Sequence, residues 1–119
     1  MANKMTFSPV TNAGDVLPVV TGLVVQHGLV LHESVGASAL PGCWTVYEPW
    51  TGYSVVTGIN RAACRKNLRL LEADSKRVGA DFGEKIRGRR DYMLRKRGQA
   101  LIERDGGLCL VAVQEVDNG

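Results

Sequence analysis

Short runs of β-branched and aromatic residues fill the first half of the chain, and apolar residues at helical spacing fill much of the second. Residues 16–25, rich in Val and Leu, predict a strand with Pro18 near its start or at a sheet edge. His27-Gly28 then separates two apolar runs. That spacing predicts either a tight hairpin, because glycine takes positive φ freely, or one long strand bulged at Gly28. Residues 36–42 (GASALPG) predict a loop. Residues 44–47 and 53–57 flank Glu48-Pro49-Trp50-Thr51-Gly52 and predict a second hairpin, with Trp44 and Val46 on one face and Thr45 and Tyr47 on the other. Trp50 at that turn either folds back on the sheet, the simpler reading, or is offered to a partner.

Asn60 suits a helix N-cap, and Cys64, Leu68, Leu71 and Val78 then make a narrow apolar stripe over residues 61–78. Ala63 and Leu70 widen it, Ser75 occupies its missing slot, and Gly79 suits the C-terminus. Asp81 and Glu84 fit a capping box that opens a second helix. Phe82, Ile86, Met93, Ala100 and Leu101 can share its broad face, and the link at 79–80 predicts antiparallel packing. Residues 99–104 are read as the last helical turns, although Asp105-Gly106 between apolar runs also fits a third hairpin. Residues 108–113 predict a strand returning to the sheet.

The expected fold is α+β: an antiparallel sheet of four to five strands (two hairpins plus a C-terminal strand) with two consecutive helices packed on one face. Residues 1–14 are polar and are expected to form a flexible arm, and residues 15–116 a single domain. A chain of 119 residues is long enough for one domain with a real core. Its three cysteines (Cys43, Cys64 and Cys109) form no CxxC and no zinc spacing, and the first ten residues lack an apolar signal region. Residues 16–25 are too few to span a bilayer. A cytoplasmic protein with free thiols and no membrane partner is expected.

Charge changes the picture more than composition does. The net charge is +3, yet residues 60–105 hold fourteen of the fifteen basic residues against seven acids, and both flanking segments are acidic. Such polarity favours phosphate-rich or acidic partners. The sharpest candidate is residues 85–97 (KIRGRRDYMLRKR), which offer Lys85, Arg87, Arg89, Arg90, Arg95, Lys96 and Arg97 within little more than three turns. Arginine forks match phosphate oxygens, and Tyr92 could stack on a base. Trp50, Arg61, Arg65 and Arg69 are secondary contact candidates.

No zinc-finger, homeodomain, RNP or KH signature is present, so binding would be backbone-led and salt-sensitive. Two alternatives stay open. The chain could be a protein-interaction module or inhibitor docking an acidic protein surface, for example on a nucleoprotein complex. It could also be an oligomeric binder of a small phosphorylated ligand. The helices also offer a surface for homo-oligomer formation.

Catalysis is the least favoured class. There is no Walker loop and no GxGxxG, and His27 and His32 fit no catalytic set. No catalytic residue, metal ligand or cofactor is expected. The cysteines read as small core residues, with Cys64 alone close enough to cations (Arg61, Arg65) for a lowered thiol pKa.

Overall fold

The period-two runs build an antiparallel meander. The computed structural model describes residues 3–36 and 39–113. Five strands pair in sequence order: β1 (Lys4–Phe7), β2 (Val20–Val24), β3 (Val30–Glu33), β4 (Trp44–Tyr47) and β5 (Ser54–Gly58). Register follows from burial. Leu23, Leu31, Val46 and Val56 are successive cross-strand partners and form one apolar row across four strands. That row belongs to the core under the helices, together with Cys64, Leu68, Phe82 and Ile86. A slip of one residue would turn the whole row to the opposite face. That opposite face carries a smaller cluster of Phe7, Val30 and Tyr47, in which the Phe7 and Tyr47 rings lie 5.1 Å apart.

Residues 4–7, read in sequence as part of a flexible arm, are an edge strand paired to residues 20–23. Phe7 anchors them in the smaller cluster. The β2–β3 connection is a hairpin, but its loop is three residues long. Val24 pairs with Val30, Val25 N–H donates to the Leu29 carbonyl, and both His27 and Gly28 take positive φ.

α1 (Arg61–Arg77) starts as expected, with Asn60 Oδ1 accepting the Ala63 N–H at 2.8 Å. It sits directly on β5: a Cβ on Gly58 would lie 2.6 Å from Cys64 Cα. Asn67 adds a hydrogen bond to the Thr57 carbonyl. The buried stripe is shorter than the spacing suggests. Cys64, Leu68 and Ser75 are buried, but Leu70 is 54 % exposed and Val78 is 68 % exposed. Val78 has already left helical geometry as the C-cap, so it no longer continues the stripe. Ser75 fits its slot because its hydroxyl donates to the Ala80 carbonyl across the link.

α2 (Phe82–Lys96) opens with Asp81 Oδ1 accepting the Glu84 N–H. It buries Phe82, Ile86 and Leu94, and leaves Met93 half-buried. It ends where Gly98 takes a φ of 71°. Residues 99–104 are therefore not helical turns. They form β6 (Gln99–Arg104), which pairs with β7 (Gly107–Ala112) around a turn in which Asp105 and Gly106 both have positive φ. That turn geometry suits the right-handed twist of a hairpin and outweighs the helix propensity of Gln, Ala, Leu, Glu and Arg. Ala100 and Leu101 consequently leave the α2 face. Among the described residues β7 does not rejoin the main sheet and pairs with β6 alone. The fold is α+β, with the two helices against one face of the five-stranded sheet. The expected domain end at residue 116 lies outside the described residues.

Candidate nucleic-acid interface

Helical periodicity sorts the cations into groups with different surroundings. On α1, Arg65, Arg69 and Lys76 lie in one row, and Lys66 and Arg77 lie in a second row beside it. All five are exposed, and one acid, Glu72, lies in the first row between Arg69 and Lys76. Both acids of α1 are engaged by neighbours. Glu72 faces the β2–β3 turn, where His27 Nε2 is 3.3 Å away and Gln26 also reaches it. Asp74 pairs with Arg77 alone, at 3.3 Å and well exposed, a contact that contributes little. Arg61 turns the other way and lies 5.8 Å from the centroid of the half-buried Trp44 ring.

The α2 residues singled out in sequence do not form one surface. Lys85, Arg89, Tyr92 and Lys96 follow the i, i+4, i+7, i+11 steps of one flank. Tyr92 is 56 % exposed there, with the Lys96 ammonium 5.0 Å from its ring centroid. Arg87 and Arg95 lie on another flank, interleaved with Glu84 and Asp91 at helical steps, a row that largely neutralises itself. Arg90 and Arg97 turn inward. Arg90 is the least exposed of the paired arginines and bonds Asp91 at 3.1 Å. Arg97 Nη1 donates to the Thr51 carbonyl at 3.1 Å. Arg89 is shared, since its guanidinium also lies 5.0 Å from the Tyr53 ring centroid.

Arg97 and Arg89 reach the β4–β5 connection at Thr51 and Tyr53, which the sequence presents as a mere turn. Glu48 is 2 % exposed, and its carboxylate caps the turn. Oε1 accepts the Trp50 N–H at 3.0 Å, and Oε2 accepts the Thr51 N–H at 2.8 Å together with the Thr51 hydroxyl. Trp50 itself is half-buried. Beside this turn, the Tyr53 hydroxyl is buried without a hydrogen-bond partner. Burial, with the nearby Glu48 charge adding to it, pushes the Tyr53 pKa up to about 12. The available signal was a carboxylate at the first position of a Pro-Trp-Thr-Gly turn, which side-chain capping would use.

The remaining candidates supply no rival site. Among the described residues, no three His, Cys, Asp or Glu side chains gather as a metal-ligand set. Burial pushes the Cys64 thiol up, opposite to the lowering that its arginine neighbours suggested. A cleft of about 560 Å³ opens on the sheet face away from the helices. Its lining includes Asp15 and the hydroxyls of Ser34, Thr45 and Thr57, but neither lysine nor arginine, so it does not suit a phosphorylated ligand. Among the described residues no helix is long and apolar enough to cross a membrane. Comparison with family models, with curated proteins and with solved structures finds no match for this chain.

Proposed function

We propose that this is a non-enzymatic cytoplasmic binding protein that holds nucleic acid through phosphate contacts from its helices. The observation that carries the reading is the cation-rich double row on α1: Arg65, Lys66, Arg69, Lys76 and Arg77 are all exposed, and the one acid in the first row, Glu72, is engaged by His27 and Gln26. From Arg65 to Lys76 the row spans ~16 Å at helical rise, about the length of five phosphates along one strand of a duplex. The Lys85–Arg89–Tyr92–Lys96 flank of α2 supplies further cations and one aromatic face. The free thiols of Cys43, Cys64 and Cys109 accord with a reducing compartment.

Binding is led by the backbone, so affinity falls steeply with salt and sequence preference is slight. Anisotropy of labelled duplex and single-stranded oligonucleotides over a salt series tests this. Replacing Arg65, Arg69 and Lys76 together with alanine should flatten the log–log salt slope by about 2–3, at ~0.7–0.9 for each phosphate no longer neutralised. An unchanged slope in that variant refutes the site, and no binding by the wild type at low salt refutes the function. In the latter case, capture of an acidic protein that survives nuclease treatment would assign the face to a protein partner.

A further inference from the structure

The β6–β7 hairpin stands apart. Among the described residues it hydrogen-bonds to no other strand, and its main packing partner is α2. None of its residues is buried, and Leu108 and Leu110 are 49 % and 37 % exposed. The radius of gyration, 15.2 Å, exceeds the about 13.5 Å of a compact chain of this length. A lone two-stranded ribbon is marginal in water, and its open edges are templates for another strand.

Backbone alternation fixes which groups face outward. Val113 N–H donates to the Gly98 carbonyl at 2.7 Å. The hydrogen-bonded pairs along the ladder are then Ala100 with Val111, Ile102 with Cys109, and Arg104 with Gly107. Leu108, Leu110 and Ala112 therefore turn their N–H and C=O groups away from β6, to the free edge of β7. Their side chains share one face with Leu101, the cross-strand partner of Leu110. By contrast β1, an edge strand of the main sheet, carries Lys4 and is followed by Pro9, both of which discourage strand addition. β7 has neither a charge nor a proline.

We propose that the free edge of β7 binds β7 of a second copy of this chain, antiparallel about a two-fold axis at Leu110. The product is a four-stranded intermolecular sheet in which Leu101 and Leu110 of each copy form one apolar row. The sequence of β7 favours its own copy as occupant. An uncharged strand sets no like charges opposite each other, and a two-fold pairing satisfies the same outward groups on both copies at once. Strands of six residues are ~20 Å long and, with their side chains, ~10 Å thick, so the two edges cover ~400 Å² in total, the size of a weak, concentration-dependent contact. The dimer would also carry two cationic helix pairs, which raises avidity for a polyanion. It does not depend on that polyanion being the partner.

Sedimentation velocity of the full chain at low and high micromolar concentration tests the proposal, with a monomer–dimer equilibrium expected. Leu108→Lys with Leu110→Lys should hold the protein monomeric while far-UV circular dichroism stays unchanged. Val111→Cys on a Cys43→Ser background provides the second measurement. In the proposed register Cys109 of one copy lies opposite position 111 of the other, so mild oxidation should give a covalent dimer. Wild type that stays monomeric at the highest concentration overturns the proposal. So does a lysine variant that dimerises as well as wild type, or a cysteine variant that does not cross-link. Oligonucleotide affinity enters none of these readouts, so failure here is separable from failure of the nucleic-acid reading.

Discussion

Removing the Glu48 carboxylate should destabilise the fold more than removing any surface cation. Three donors converge on it: the Trp50 and Thr51 N–H groups and the Thr51 hydroxyl. Glu48 and Thr51 are each 2 % exposed, so little water can replace the missing acceptor. Each hydrogen bond to a charged group contributes about 1.5–3 kcal/mol, and each buried donor left without a partner costs about 1–3 kcal/mol. Allowing for relaxation of the turn, Glu48→Ala should lose about 3–5 kcal/mol, a large part of the ~6–18 kcal/mol expected for a domain of this length. Glu48→Gln keeps one acceptor oxygen but points an amide N–H₂ at donors, and should lose about 2–3 kcal/mol. Thr51→Val removes only the hydroxyl bond and should lose about 1 kcal/mol. Urea unfolding followed by circular dichroism measures all three, provided the m-value is unchanged. A loss below about 1 kcal/mol for Glu48→Ala, or none for Glu48→Gln, would refute the reading of this turn as a carboxylate-capped anchor.

Two further perturbations probe neighbouring parts of the fold. Tyr53 has its pKa raised from 10.0 to about 12. Between those values the unfolded chain has lost the phenolic proton that the folded chain keeps, so stability falls by up to about 2–3 kcal/mol as pH rises from 10 to 12 and is intact below 10. Tyr53→Phe should remove that component of the alkaline loss and, by deleting a buried hydroxyl with no partner, should leave neutral-pH stability equal or higher; a variant with the wild-type alkaline profile would refute the assignment. Gly58→Ala and Gly88→Ala should move the melting temperature in opposite directions. The first drives a Cβ into the backbone of α1 at Cys64 and should lose about 2–3 kcal/mol, whereas the second meets nothing within 4 Å inside α2 and should gain about 1 kcal/mol.

The main sheet and helix boundaries were legible because their signals are local. Asn60 and Asp81 cap the helices, and the alternation of Trp44, Thr45, Val46 and Tyr47 splits between the two sheet faces. The misreadings share a cause: their outcome depends on distant residues or on competing local preferences. β1 becomes a strand only by pairing with residues 20–23, across a connection that contributes no periodic signal. Residues 99–104 are good helix formers, and only Gly98 and the positive φ of Asp105 and Gly106 turn them into the arm of a hairpin.

The cationic segment shows most clearly what a charge run leaves undecided. Its composition gives one dense patch over residues 85–97, but the residues that receive Arg97 and Arg89 lie far back in the chain, at Thr51 and Tyr53. Those arginines join α2 to the β4–β5 turn, so mutating them changes the fold along with any affinity. Lysine and arginine on the outer rows of α1 carry no such second duty beyond the exposed Asp74–Arg77 pair. Helical spacing already separates the groups: Arg65, Arg69 and Lys76 fall in one row whose single acid, Glu72, is engaged by His27 and Gln26, whereas Arg90 and Arg97 share a side with Ile86 and Leu94. Charge density alone pointed to α2. Charge density combined with periodicity points to α1, where loss of a cation should change the salt dependence of binding and leave the urea midpoint in place.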